Sequence, residues 1–252
     1  MPKEKQNKTK KSKVIHLCII ASIVVLLLAI AGIIILKYQV EGETNPPFEL
    51  TKLIVVSTAQ GYEKENPSAK WDLEIDQNND FYIGIEKNPK YSKSEVIKSV
   101  TLEKFSYQEM PQKGTMCLYR PAETGLYKRE EQNKFENSII YTGKKETNLK
   151  QLEIANQGGV ILFRATNQNV SEYVSEEGEE ILHDGTILAK TNILPEQIET
   201  NLSFDILIET GSNVKYKATI KVKLPIEGML QEGTATYEKT DFEDVILKRV
   251  AK

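Results

Sequence analysis

Residues Val14 to Leu36, VIHLCIIASIVVLLLAIAGIIIL, run for 23 positions without a charge. At about 1.5 Å per residue, a helix of that length reaches roughly 35 Å, enough to cross a hydrocarbon layer of about 30 Å. No surface helix of a water-soluble domain is written this way, so the stretch predicts a single transmembrane signal anchor over 14–36 and divides the chain around it. Lys3, Lys5, Lys8, Lys10, Lys11 and Lys13 precede it, whereas only Lys37 and Lys52 are cationic soon after it. The positive-inside tendency therefore predicts a cytoplasmic tail at 1–13 and an extracytoplasmic C-terminal domain at the cell membrane. Ala29-Ile30-Ala31 has the small-x-small form of a signal-peptide cleavage site. The apolar run outlasts the roughly 7–15 residues of a signal-peptide core, so an uncleaved anchor is the expectation.

Residues 37–47 are polar and end in Pro46-Pro47, which cannot continue a helix and reads as a short stalk. The remaining domain is 48–252. The chain beyond the tail, 14–252, has 27 basic and 35 acidic residues once the tail's six lysines and Glu4 are set aside, a balance of -8. Phosphate recognition needs a concentrated basic face, so nucleic acid is not an expected partner. Cys18 lies inside the apolar stretch and Cys117 is the only other cysteine. The fold is thus expected to stand on its core, with no disulfide. Lysine outnumbers arginine 29 to 4, as in an AT-rich bacterial genome.

From Leu50 onward the apolar pattern alternates with a period of two, which predicts an all-β domain. Leu50–Ala59 reads as a strand buried on both faces. Trp71, Leu73 and Ile75 share one face, Phe81, Ile83 and Ile85 another, and Gln77-Asn78-Asn79-Asp80 between them reads as a hairpin turn. The phase slips between Leu102 and Phe105, predicting a bulge at Glu103-Lys104. Further strands are expected over Gly114–Arg120 and Ser138–Gly143, with a hairpin at Gly158-Gly159. A second hairpin turns at Thr210–Asn213, with Lys215 and Lys217 facing Asp205 and Glu209. Pro195 opens a helical turn, while Thr240–Val250 suits a helix or a strand. Leu73-Glu74-Ile75 and Leu152-Glu153-Ile154, 79 residues apart, suggest two related halves with a subdivision near 111–114. The expected architecture is a β-sandwich ectodomain on one transmembrane helix.

Candidate chemistry is sparse. A membrane anchor, a strand-rich domain and Cys117 in a strand, with Arg120 three residues on, resemble the layout of the sortases. That resemblance implies a thiolate working with an imidazole, for which only His183 is available outside the anchor. Here Cys117 precedes His183 and no Thr-Leu-x-Thr-Cys motif occurs, so Cys117 reads as a small core residue. The acidic stretch 176–186, with Glu176, Glu177, Glu179, Glu180, His183 and Asp184, lacks the alternating ligand spacing of a calcium loop and reads as a solvated loop with an Asp184-Gly185 turn. Trp71 and Tyr62, Tyr82, Tyr91, Tyr107, Tyr119 and Tyr127 could form a glycan-stacking surface, but Trp71 is in phase with the core. No catalytic, cofactor-binding or metal residue is assigned. The expected function is non-catalytic: binding or scaffolding at a bacterial envelope, with the bilayer held through 14–36 and an envelope protein or wall polymer as partner. A sensing subunit and a carboxylate-dependent wall enzyme are the alternatives.

Overall fold

A computed structural model of the chain describes residues 16, 19–34, 45–65, 71–91, 93–122, 127–176 and 178–250. The chain divides into two compact units between Asn45 and Pro46. In the first, residues 19–34 form a helix, α1, whose large apolar side chains are exposed, among them Ile23, Leu26, Leu28 and Ile33. Its 16 residues reach roughly 24 Å at about 1.5 Å each. Among the described residues no helix is long and apolar enough to cross a membrane. Positions 14, 15, 17, 18, 35 and 36 of the predicted anchor, the 1–13 tail and most of the stalk lie outside the described residues.

The second unit is built from the alternating segments, in the order β1 (Phe48–Glu63), β2 (Asp72–Lys87), β3 (Ile97–Tyr107), β4 (Thr115–Tyr119), β5 (Lys134–Phe135), β6 (Ser138–Lys144), β7 (Glu153–Ala155), β8 (Gly158–Val174), α2 (Thr186–Ala189), α3 (Pro195–Ile198), β9 (Asn201–Thr210), β10 (Lys215–Lys223), α4 (Met229–Glu232), β11 (Thr234–Lys239) and β12 (Lys248–Arg249). Among the described residues twelve strands form two six-stranded sheets, ordered β11-β1-β2-β8-β4-β5 and β12-β10-β9-β3-β6-β7, consistent with a β-sandwich. Each sheet draws strands from both sides of residues 111–114. Leu73–Ile75 lies in the first sheet, in β2, while Glu153 and Ile154 lie in the second, in β7.

The main core holds Leu53, Val55, Ile83 and Ile161 of the first sheet with Val100, Ile206, Ile208 and Ile220 of the second. At its centre Phe81 stacks on Phe163 at 4.3 Å, and both meet Phe204 of the opposite sheet edge-on, at 6.0 and 5.3 Å. These offset and edge-to-face geometries are the favoured ones for aromatic rings. A second cluster fills one end. There Leu73, Ile75, Ala59 and Val170 of the first sheet are covered by Ile187, Leu188, Ile193, Ile198 and Met229, from the segment after β8 and from α4.

Several sequence expectations hold. The β3–β9 register shifts between Glu103 and Ser106, with Lys104 at φ 56, so the bulge lies where the phase slips. Strands β9 and β10 pair throughout, and Lys217 and Lys215 reach Asp205 and Glu209 at 2.8 and 3.6 Å. Pro195 begins α3, whose Gln197 side chain accepts the Leu194 N–H.

Others are corrected. Gln77–Asp80 is no turn: β2 runs straight through it for 16 residues, paired on both sides. Gly158-Gly159 does not close a hairpin, because β7 belongs to the second sheet and β8 to the first. The chain crosses between layers there, and Gly158, at φ 122, approaches the Ile85 carbonyl too closely for a side chain. β1 is buried on one face only; Ile54 and Val56 on the other are half-buried. Near the C-terminus only Lys248 and Arg249 join a strand, beside Tyr216 and Lys217.

Candidate functional site

Between the two apolar clusters the first sheet carries a belt of buried polar side chains. Ser57, Asp76, Gln77, Asn78, Asn79, Thr166 and Asn167 are all nearly inaccessible. Burial without partners is expensive for such groups, and neighbouring strands supply most of them. On the inward face the Ser57 hydroxyl donates to Asn79 Oδ1 at 2.5 Å, and Asn79 Nδ2 donates to the Ala165 carbonyl at 3.0 Å. On the outward face Thr166 donates to Asn78 Oδ1 at 2.8 Å. Arg164 forks onto Asp80, Nε to Oδ1 at 2.5 Å and Nη2 to Oδ2 at 2.8 Å.

The outward part of the belt is the candidate site. Tyr62 of β1, Asp76 and Asn78 of β2, Arg164 and Thr166 of β8 and Tyr119 of β4 surround one pocket, closed over by Tyr127, Lys128 and Arg129. Strand periodicity explains the assembly: residues two apart on adjacent paired strands stack on one face. The pocket holds about 10 Å³, the room of about one water molecule. Arg129 lies 5.0 Å over the Tyr62 ring and Arg164 4.4 Å over the Tyr127 ring, each a cation-π arrangement. Arg129 also donates through Nη2 to Asn169 Oδ1 at 3.0 Å and to Glu74 at 3.3 Å.

Asp76 is the most burdened member. Its Oδ1 accepts the Asn169 N–H at 2.9 Å, and Asn169 takes φ 54 in making that approach. Its Oδ2 sits 3.5 Å from Arg129 Nε, an ion pair without hydrogen-bond geometry, and is otherwise unpartnered. Burial pushes the carboxyl above its usual range, and the Asn169 N–H and Arg129 only partly offset this. Burial likewise drives the Tyr127 hydroxyl far up and the Tyr62 and Tyr119 hydroxyls up. For Arg164, burial works against the charge, but its hydrogen bonds to Asp80 and the attraction of that carboxylate together outweigh it and hold the guanidinium charged. The arrangement is a tight electrostatic clasp of residues 127–129 onto the sheet. A sugar ring or peptide would have to displace it.

A scan of protein-family models, a search of curated proteins and a search of solved structures each return no match. The site is therefore read from its residues alone.

Cys117, on β4, donates its thiol to Gln168 Oε1 at 3.1 Å, and burial raises its pKa, the reverse of what a nucleophilic thiolate needs. His183 Nδ1 lies 3.1 Å from the carbonyl of Gly61 on β1, edge-on to Trp71. Three strand spacings of about 4.8 Å separate β1 from β4, so Cys117 and His183 are not brought together. Arg120 turns away, donating to the Gln132 carbonyl. In the acidic stretch, Glu179 takes the Tyr173 hydroxyl and Lys190, while Asp184 accepts from the Thr186 N–H and hydroxyl; Glu177 lies outside the described residues. Among the described residues no group of three His, Cys, Asp or Glu converges as a metal site.

Of the aromatic residues singled out from the sequence, Tyr62, Tyr119 and Tyr127 gather at the pocket. Trp71 packs on the second cluster and Tyr107 against the main core. Asp76, Asn78, Asp80, Arg129, Arg164 and Thr166 were not foreseen. A signal for them exists in the odd-numbered row Leu73, Ile75, Phe81, Ile83 and Ile85, whose phase continues unbroken across Gln77–Asp80. A two-stranded turn would have no reason to keep it.

Proposed function

We propose that the chain is a single-pass membrane protein of a bacterial envelope, with its N-terminus cytoplasmic and its β-sandwich outside the cytoplasm as a non-catalytic binding or scaffolding module. The observation that carries this reading is α1: a helix exposing Ile, Leu and Val all around its circumference needs an apolar surrounding, and six lysines precede it in the tail. The sandwich supports the second half of the proposal. Its buried polar clasp leaves room for about one water rather than a substrate, and its one strand cysteine is not activated. The partner would be an envelope protein or a wall polymer.

Protease added to intact cells is the test of orientation, with crosslinking and mass spectrometry of captured neighbours as the test of scaffolding. Digestion of the 48–252 domain from outside and capture of a defined envelope assembly are expected. A domain protected in intact cells, or no reproducible neighbour, would overturn the proposal. Asp76, a buried carboxylate with a raised pKa, is the one observation that favours a wall enzyme instead. Undiminished envelope function in Asp76→Asn cells would remove it.

A further inference from the structure

The strands that end each sheet differ in what they leave open. β5 and β12 have two residues and β7 three, whereas β11 ends the first sheet with six, Thr234–Lys239. An end strand of that length offers a row of backbone donors and acceptors for another strand unless something guards it.

Which groups face outward follows from the alternation of the ladder. Lys64 N–H bonds the Asp72 carbonyl, so even positions of β1 address β2. The opposite edge of β8 agrees: both backbone groups of Leu162 face the Tyr141 hydroxyl, away from β2. Odd positions of β1 therefore address β11, where Leu53, Val55 and Ser57 pair with Lys239, Tyr237 and Ala235. The backbone N–H and C=O groups of Thr234, Thr236 and Glu238 are left pointing out of the sheet. Their side chains are exposed as well, and none is a lysine or proline. The comparable open part of β10, beyond the two positions that β12 covers, carries Lys221 and Lys223, which discourage strand addition.

The end of this edge has its own chemistry. A broad hollow of about 510 Å³ opens between Tyr237 and Asp244, lined by Glu238, Lys239, Asp241, Glu243 and Asp244. Lys52 pairs with Glu238 at 2.8 Å and Lys239 with Asp244 at 2.6 Å, leaving Asp241 and Glu243 as excess negative charge. We propose that β11 is a docking edge that takes an extended lysine- or arginine-bearing peptide segment as a further strand, with one cationic side chain of that segment in the acidic hollow. Backbone bonds supply the attachment and the hollow supplies the choice of partner, the division of labour general to strand addition. This deepens the binding-module reading and rests on it.

The test uses the full chain in detergent micelles and two short probe peptides, one alternating valine with lysine and the other valine with glutamate. Calorimetry is expected to show the lysine peptide binding at least about tenfold more tightly than the glutamate peptide. Thr236→Pro removes an outward N–H at an edge position that tolerates proline, and should weaken lysine-peptide binding about tenfold with the melting temperature unchanged. Glu238→Lys with Asp244→Lys changes exposed side chains only and should reverse the preference, which keeps the proposal open to refutation if the proline variant is unstable. It is overturned if the lysine peptide does not bind, if neither variant changes its binding, or if light scattering shows β11 occupied by a second copy. In cells, a Thr236→Pro protein that captures the same neighbours as the wild type would sink the edge while leaving the module. Loss of all neighbours from the wild type would sink the module itself.

Discussion

Arg164 and Asp80 offer the sharpest test of whether the polar belt holds the first sheet together. The two side chains are each 16% exposed and joined by two hydrogen bonds, and Arg164 also covers the Tyr127 ring at 4.4 Å. Arg164→Met keeps most of the stem but strands the Asp80 carboxylate in a half-closed site and removes the cation from the ring. Breaking a buried pair on one side typically costs about 3–5 kcal/mol, and a lost cation-π contact about 0.5–2 kcal/mol. The residual exposure argues for the lower end, so roughly 3–4 kcal/mol is expected. For a domain of this size, each kcal/mol moves the melting temperature by about 2–4 °C, giving a fall of roughly 6–16 °C. Asp80→Leu alone should cost about as much, because it leaves the guanidinium unpaired. The double variant removes both charges and should recover much of the loss, so the two single effects will be strongly non-additive. Thermal unfolding followed by circular dichroism on the full chain in detergent reads all three. Single variants within about 1 kcal/mol of the wild type, with simple additivity, would show that water screens the pair as it does an ordinary surface bridge, and would refute the reasoning.

Three further outcomes are expected. Asp76 has a folded-state pKa above its unfolded value of 3.8, so the ionised form is a burden on the folded state near neutral pH and the burden lifts as pH falls through the folded pKa. Melting temperatures of the wild type and Asp76→Asn measured from neutral to mildly acidic pH should therefore show the wild type gaining on the variant as pH falls; a constant gap would contradict the burial of this carboxylate. Phe163→Ala removes the ring between Phe81 and Phe204 and should cost about 3–5 kcal/mol in denaturant titrations, whereas a cost under about 1 kcal/mol would place the ring outside the core. Gly143→Ala puts a methyl group into the Ile97 carbonyl and should cost about 1–3 kcal/mol through overpacking; a neutral result would mean that β3 and β6 are not held at this separation.

Where a segment buries one face and wets the other, period two was enough. β9 and β10, the β3 bulge and β4 all follow from the alternation of Leu202 to Leu224, the slip before Phe105, and the short run ending at Pro121. What escaped was anything decided by a neighbour distant in sequence. Gly158-Gly159 looks like a turn in either a hairpin or a crossover, and only the placement of β7 beside β6 in the second sheet distinguishes them. Arg129 and Arg164 are ordinary surface residues on paper. Their role appears only when β2, β8 and residues 127–129 are stacked. The reading of Gln77–Asp80 as a turn failed for a different reason. Turn propensity describes side chains that compete for the backbone when nothing else is offered. Here Ser57, Ala165, Thr166 and Arg164, between 20 and 90 residues away, offer better partners.

That failure bears on why the belt exists. β2 and β8 are long enough to serve two apolar clusters, and an unbroken apolar row of that length would leave register undetermined, since sliding by two residues would still bury hydrophobic side chains. A polar step at Gln77 and Asn79 removes that freedom, because Asn79 has a particular partner on each adjacent strand, Ser57 of β1 and Ala165 of β8, and loses both on slipping. The cost is visible in Gln77 Nε2, Asn167 Oδ1 and Asp76 Oδ2, which are buried without a hydrogen bond. It is offset by the aromatic centre on one side, where Phe81, Phe163 and Phe204 lock the two sheets, and by the Ile187, Ile198 and Met229 cover on the other. The belt is thus best understood as a register key between two cores, and its outward face as the by-product that clasps residues 127–129. On this view the recognition we propose would fall to the parts of the sandwich that the key leaves unsatisfied, and β11 is the longest of the strands that end a sheet.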